Sequence, residues 1–342
     1  MNLAELTSTA NALVAQGKGI LAADESSGTI KRRFDSIGAE STEETRITYR
    51  ETLFRTAGSN QFISGVILYD ETIRQNSLLE PTSLVSILAN QGIIPGIKVD
   101  KGTGPLPGSS DELVTDGLDG LRDRLNEYYS LGARFTKWRA VITIGEELPS
   151  RYCIEVNAHL LARYASLSQE AGLVPIVEPE VLMDGTHSID ECFDVTETTL
   201  REVYHQLGLQ RVFLEGSLLK PNMILSGKDA PNRAAPEEVA EKTIRCFQRT
   251  VPAAVPGIVF LSGGQSDNEA TTNLNAINRL ASTMRLPWEL SFSYGRGLQA
   301  APLQAWGGKS SNLEKAAAAY YHRAQVTGAA RMGEYSKSME IS

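Results

Sequence analysis

The chain has 342 residues, 42% hydrophobic and 22% charged, with 29 Gly and 14 Pro, a composition that excludes disordered and collagen-like proteins. Its 33 basic and 41 acidic side chains leave a net charge of −8, which excludes a surface built for nucleic acid or an anionic membrane. Cys153, Cys192 and Cys246 show no C-x-x-C spacing, the N-terminus lacks a basic–apolar leader, and no apolar run reaches a membrane-spanning length, so the reading is a soluble, cytoplasmic protein in a reducing compartment.

In chain order, short apolar runs alternate with longer segments of helical period. Strands are expected at residues 19–23, 63–69, 93–99, 134–138, 173–177, 211–214, 258–261 and 289–292. Most are apolar at consecutive positions, the mark of parallel strands covered on both faces. Between them, Cys153, Val156, Leu160, Tyr164 and Leu167 step by three or four, and Gly172 ends that helix. Pro236 suits the first position of a helix that turns Val239, Thr243 and Cys246 inward. Ser266 with Glu269 forms a capping-box pattern ahead of Ala270, Leu274, Ile277 and Ala281. Eight strands at a mean repeat of roughly 38 residues suit a (β/α)8 TIM barrel. No G-x-G-x-x-G or P-loop follows any strand, which argues against an open doubly wound sheet. No linker divides the chain. The expectation is a single domain over 1–342, with an N-terminal helix and a short polar C-terminal tail at 333–342.

Such barrels build their sites at the C-terminal ends of the strands, and here every strand end carries polar or ionisable groups. They include Asp24, Asp70, Lys98, Lys137, Glu178 with Glu180, Lys220, Ser262-Gly263-Gly264 and Ser293-Tyr294-Gly295-Arg296. Singly, each has an ordinary explanation: a carboxylate as a helix cap, a lysine reaching for water, glycines in a turn. Their coincidence around one ring of strands points to a pocket. The glycine-rich ends of the seventh and eighth strands, with Arg296 as a planar fork, suit a phosphate. Lys98, Ser26 and Thr29 suit a second anion across the mouth. Two anionic ends and a carboxylate-rich middle fit a small bisphosphorylated sugar.

The lysines also suit amine catalysis, which needs a neutral nucleophile. Lys220 follows Leu218-Leu219, and Lys137 stands between aromatic residues; spacing alone does not choose between them. Glu178 and Glu180, two apart on one strand, point the same way, and their repulsion is expected to raise one pKa toward neutrality for proton transfer. The four histidines have no metal-ligand spacing, so neither a metal nor a cofactor is expected.

The motifs LAADESSGTIKRR from Leu21, GIKVDKG from Gly96, FTKWR from Phe135, VPIVEPE from Val174, LEGSLLKPNM from Leu214, FLSGGQS from Phe260, NLNAIN from Asn273 and SFSYGR from Ser291 closely resemble those of class I fructose-1,6-bisphosphate aldolases. These are the Schiff-base lyases of glycolysis and gluconeogenesis, and the motifs stand in the family's order over almost the whole chain. The resemblance implies that Lys220 forms the Schiff base and that Glu178 is the acid/base for carbinolamine formation and dehydration. Lys137 and Glu180 would complete its charge network, and Asp24 would be the base for the C4 hydroxyl. It further implies that Ser262, Gly263, Gly295 and Arg296 hold the C1 phosphate, with Ser293 among the substrate- or phosphate-binding residues. Ser26, Thr29, Lys98 and Arg33 would hold the C6 side, with Arg139 at the substrate as well. Thr29 stands where the family often has Ser. Implied partners are a phosphorylated sugar and copies of the chain itself in a homotetramer, with neither nucleic acid nor membrane.

Animal members of the family end in a Tyr that exchanges a proton on the dihydroxyacetone-phosphate enamine. The sequence here ends Tyr335-Ser336-Lys337-Ser338-Met339-Glu340-Ile341-Ser342, so slow exchange relative to cleavage is expected. The alternatives weighed are sedoheptulose 1,7-bisphosphate as substrate, a transaldolase-like transferase, and a non-catalytic scaffold. The double phosphate site argues against the second of these, and the full catalytic set against the third.

Overall fold

A computed structural model describes residues 2–109 and 111–340. Eight strands close into a barrel: β1 (Gly19–Ala23), β2 (Ile63–Leu68), β3 (Ile94–Lys98), β4 (Phe135–Ile142), β5 (Val174–Val181), β6 (Leu218–Leu219), β7 (Gly257–Phe260) and β8 (Glu289–Tyr294). Around the ring the order follows the chain, and β8 closes on β1 through Ile20 and Ser293. Every neighbouring pair in the barrel is parallel, as the strand–helix alternation demands. The expected (β/α)8 TIM barrel is therefore present.

Helices form where the caps and periodicities place them. Arg151–Glu170 starts at Ser150, whose hydroxyl accepts the Cys153 N–H. Pro236–Thr250 begins on its proline. Asp267–Ala281 begins at Ser266, which accepts the Glu269 N–H. The second buries the predicted Val239, Thr243 and Cys246, and the third buries Ala270, Leu274 and Ile277 with Ala281 half-buried. On the first the buried face is shifted from the predicted stripe: Cys153 and Tyr164 are buried with Ile154, Ala158, Leu161 and Ala165, while Val156, Leu160 and Leu167 are half-buried.

The barrel interior is filled by Ile20, Ile67, Phe135, Val174, Ile176, Leu218 and Val259. Phe135 needs room at the axis, and Gly96 on the adjacent strand supplies it: a Cβ there would lie 2.3 Å from the ring. The N-terminal helix Leu3–Leu13 closes the end where the strands begin. Its Leu6 and Leu13, with Val14, join the interior cluster, and Ser64 donates to the Leu13 carbonyl at 2.5 Å.

One expected strand is misplaced. Residues 211–214 do not join the sheet; Leu214–Gly216 is a 3-10 turn, and the sixth strand is the two-residue Leu218–Leu219. The physical reason is Gln169. Its side-chain amide accepts from Phe213 N–H at 2.9 Å and donates to the carbonyls of Phe213 and Gly216 at 2.7 and 3.0 Å, so it takes the place of a neighbouring strand. The apolar run at 212–214 marked burial, not extension. Two further departures affect the mouth. β4 and β5 run four residues beyond expectation, so Arg139 and Glu180 stand on strands. A small antiparallel hairpin, Thr103–Pro105 with Leu113–Thr115, follows β3 unpredicted. The tail predicted for 333–342 includes a short 3-10 turn, Lys337–Glu340; its last two residues lie outside the described residues. Among the described residues, no helix is long and apolar enough to cross a membrane.

Candidate active site

A cavity of about 1260 Å³ opens at the C-terminal ends of the strands. Every candidate residue named from the sequence borders it: Asp24, Ser26, Thr29, Arg33, Lys98, Lys137, Arg139, Glu178, Glu180, Lys220, Ser262, Gly263, Ser293, Gly295 and Arg296.

At its floor lies a chain of alternating charge. Lys220 comes directly after β6, and its backbone N–H is tied to the Val177 carbonyl at 2.8 Å. Its Nζ is 3.1 Å from Glu178 Oε1; Glu178 Oε2 is 3.1 Å from Lys137 Nζ; and that nitrogen is 2.7 Å from Asp24 Oδ2. Lys220 and Lys137 are each 4% exposed and Glu178 3%, so these charges interact with little solvent screening.

The two lysines differ in their surroundings. Burial favours the neutral form of Lys137, but the charges of Asp24, Glu178 and Asp100 outweigh it and hold the ammonium above the ordinary lysine range. Lys137 is thus a fixed cation clamped by two carboxylates, whereas Lys220 makes one direct ion pair among the described residues, with Glu178. Asp24 shows the converse balance: burial pushes its pKa up, and Lys137 and Lys220 bring it well below the usual carboxylate value. For Glu178 the net direction is also downward, burial being overcome by Lys137, Lys220 and Arg139. Mutual repulsion was expected to raise one member of the Glu178–Glu180 pair. That expectation fails for Glu178 because Glu180 is turned to Arg139 as an ion pair and three cations surround Glu178.

The rim carries the anion-binding features. The Ser262-Gly263-Gly264 turn sits after β7, with Gly263 at φ +54°, in the left-handed region that glycine adopts freely. Gly295 caps the helix Arg296–Trp306, whose first N–H groups are free to receive an anion. Arg296 reaches across and donates to the Gly263 carbonyl, joining the two loops. The Ser293 hydroxyl is buried without a hydrogen-bond partner, beside the same cavity. Opposite, Ser26 caps the helix Ser27–Asp35 and its hydroxyl donates to Thr29 Oγ1 at 3.2 Å. Arg33 pairs with Glu25 at 2.5 Å, and Lys98 Nζ lies 2.5 Å from Asp100 Oδ1.

Asp100, Glu25, Arg50 and Gln299 escaped the sequence reading. Asp100 could have been found two residues beyond Lys98 in GIKVDKG; it accepts from the Arg139 N–H at 3.2 Å with its second oxygen. Among the described residues no three His, Cys, Asp or Glu side chains gather as a metal-ligand set.

The family model for class-I fructose-bisphosphate aldolase matches residues 5–342. A probable fructose-bisphosphate aldolase class 1 from Xanthomonas campestris is 55% identical over 336 residues, 98% of this chain and 99% of that protein. Cytosolic fructose-bisphosphate aldolase 4 of Arabidopsis thaliana is 52% identical, over 98% of this chain and 85% of its own length. The fold superposes with a TM-score of 0.95 on fructose-bisphosphate aldolase from Plasmodium falciparum, crystallised with TRAP and a small-molecule inhibitor; identity is 50%, over 97% of this chain and 95% of the other.

Proposed function

The chain belongs to the class-I fructose-bisphosphate aldolase family, and from that premise we propose which residues carry each step. The reaction is the reversible cleavage of fructose 1,6-bisphosphate to dihydroxyacetone phosphate and glyceraldehyde 3-phosphate through a lysine Schiff base.

Lys220 is the nucleophile. The observation that carries this choice is the unequal pairing of the lysines: Lys137 is clamped between Asp24 and Glu178, while Lys220 makes a single ion pair among the described residues, with Glu178 at 3.1 Å. The amine adds to the ketose carbonyl to give a carbinolamine, and loss of water leaves an iminium. Glu178, against both lysine nitrogens, transfers the protons of those two steps. Asp24 then takes the C4 hydroxyl proton. As the C3–C4 bond breaks, its electron pair moves into the iminium, leaving an enamine on Lys220 and releasing the aldehyde. Lys137 holds Asp24 and Glu178 ionised and supplies a positive field where charge develops on oxygen. Glu180 and Arg139 brace this network from the next positions along β4 and β5.

The C1 phosphate sits on Ser262, Gly263, Ser293, Gly295 and Arg296, and the C6 phosphate toward Ser26, Thr29, Arg33 and Lys98. Arg296→Ala is expected to raise KM for the bisphosphate by roughly tenfold or more, the scale of a lost charge-assisted hydrogen bond. The fraction of sites that form the imine at saturation should change little; an unchanged KM would remove Arg296 from the phosphate site.

Borohydride reduction in the presence of dihydroxyacetone phosphate tests the central assignment. The label is expected on the peptide containing Lys220, with activity unaffected by EDTA; label on Lys137 would overturn the choice of nucleophile. We further read 1–342 as one catalytic domain that works in the cytoplasm as a homotetramer, a state that sedimentation equilibrium measures directly. The cytosolic designation of the Arabidopsis relative supports that location.

A further inference from the structure

Asp24 stands at a turn whose backbone is held on both sides by buried side chains from distant parts of the chain. On one side, Gln299 from the helix Arg296–Trp306 donates to the Ala22 carbonyl at 2.8 Å. On the other, Arg50 from the helix Glu43–Phe54 donates to the Glu25 carbonyl at 2.9 Å. Gln299 Nε2 also lies 2.7 Å from Glu25 Oε1, and Arg50 Nη2 lies 4.0 Å from Glu25 Oε2. The same Glu25 carboxylate pairs with Arg33 at 2.5 Å. Arg50 is 1% exposed and Gln299 2%.

This is costly chemistry for a purely structural contact. Arg50 Nε and Nη1 have no hydrogen-bond partner, and neither has Glu25 Oε2; the second ion partner of Arg50, Glu71, is 3.5 Å away. A buried guanidinium so incompletely satisfied contributes little stability compared with an apolar side chain of similar size. What it does fix is the position of one carbonyl beside Asp24 and the orientation of one carboxylate behind Arg33.

We propose that Arg50 and Gln299 are positioning residues for carbon–carbon cleavage: they pin the carbonyls flanking Asp24 so that its carboxylate meets the substrate hydroxyl, and through Glu25 they aim Arg33 into the cavity. The proposal rests on the assignment of Asp24 as the base. It separates the two halves of the reaction, because Glu178 on β5 and Lys220 just after β6 share no hydrogen bond or ion pair with either residue among the described residues. Imine formation with dihydroxyacetone phosphate is independent of the clamp; bond cleavage depends on it.

The experiment compares Arg50→Lys, Gln299→Met and Asp24→Asn in the full-length protein. Each is measured for borohydride-trapped imine with dihydroxyacetone phosphate per mole of folded protein, and for kcat and KM with fructose 1,6-bisphosphate. Arg50→Lys and Gln299→Met are expected to trap imine at near the parent level while kcat falls by roughly 10- to 100-fold, the scale of a misplaced catalytic group. Arg50→Lys should also raise KM, through Arg33. Trapping and cleavage falling in proportion would reduce the clamp to a structural contact, and unchanged kcat in both variants would overturn it. Should Arg50→Lys fail to fold, Gln299→Met, which leaves every charge in place, decides alone. If Asp24→Asn itself retains cleavage, the assignment of the base is at fault; if it loses cleavage while the other two retain it, only the clamp is wrong.

Discussion

Lys220→Met is expected to lower kcat for fructose 1,6-bisphosphate cleavage by a factor on the order of 10⁴ or more, the scale seen when a covalent nucleophile is removed. Methionine nearly matches the volume of lysine and carries no charge, so a site 4% exposed loses an ion and gains no cavity. Glu178 keeps Lys137 at 3.1 Å and is not stranded. The variant should therefore fold with a Tm close to that of the parent while trapping no imine under borohydride. Binding of a non-cleavable bisphosphate is expected to persist, because the loops after β7 and β8 are untouched. Substantial residual turnover measured by coupled assay would move the nucleophile elsewhere.

Lys137→Met should act in the opposite manner, leaving the nucleophile in place and upsetting its neighbours. Two carboxylates, Asp24 at 2.7 Å and Glu178 at 3.1 Å, lose the cation that offsets their burial. Removing one member of a buried charge pair costs about 3–5 kcal/mol, and activity should fall by roughly 10²-fold or more as preorganised charge is lost. The pH dependence gives the sharper readout. In the parent, Asp24 and Glu178 are both held below their ordinary values. Groups whose folded pKa is depressed stabilise the fold above the unfolded carboxylate pKa, and that contribution fades as pH drops through the folded values. Without Lys137, each carboxyl loses the largest of the charges that offset its burial, and both pKa values rise. The acid limb of the kcat/KM profile should then move to higher pH, and the stability advantage at neutral pH over acid should shrink. A profile that keeps its acid limb would show that Lys137 does not hold these carboxylates ionised.

The barrel was legible because consecutive apolar strands and capped amphipathic helices are written locally. Ile63–Leu68 is buried at every position, and Ser266 caps the helix that its spacing to Glu269 announced. The site was legible for a related reason: strand ends fall at predictable places, so Asp24, Lys137, Glu178 and Lys220 could be gathered without coordinates. What escaped depends on contacts between distant segments. Gln169 takes over the backbone of Phe213 from 44 residues away, and no local pattern forecasts that residues 211–214 leave the sheet. Arg50 reads as one more polar residue on a surface helix until the fold brings it against Glu25. The direction of the Glu178 shift was missed on the same ground, since the strand places Glu180 nearby but only the third dimension supplies Arg139 and two lysines.

The helix Leu3–Leu13 plugs the barrel at the end remote from the reactive cavity, with Leu6 and Leu13 inward and Ser8 and Asn11 outward. This gives the molecule a polarity that is useful for handling it. Coupling to a bead or sensor chip through outward positions on that helix presents the open mouth to flowing solution, whereas attachment through the rim would shade it.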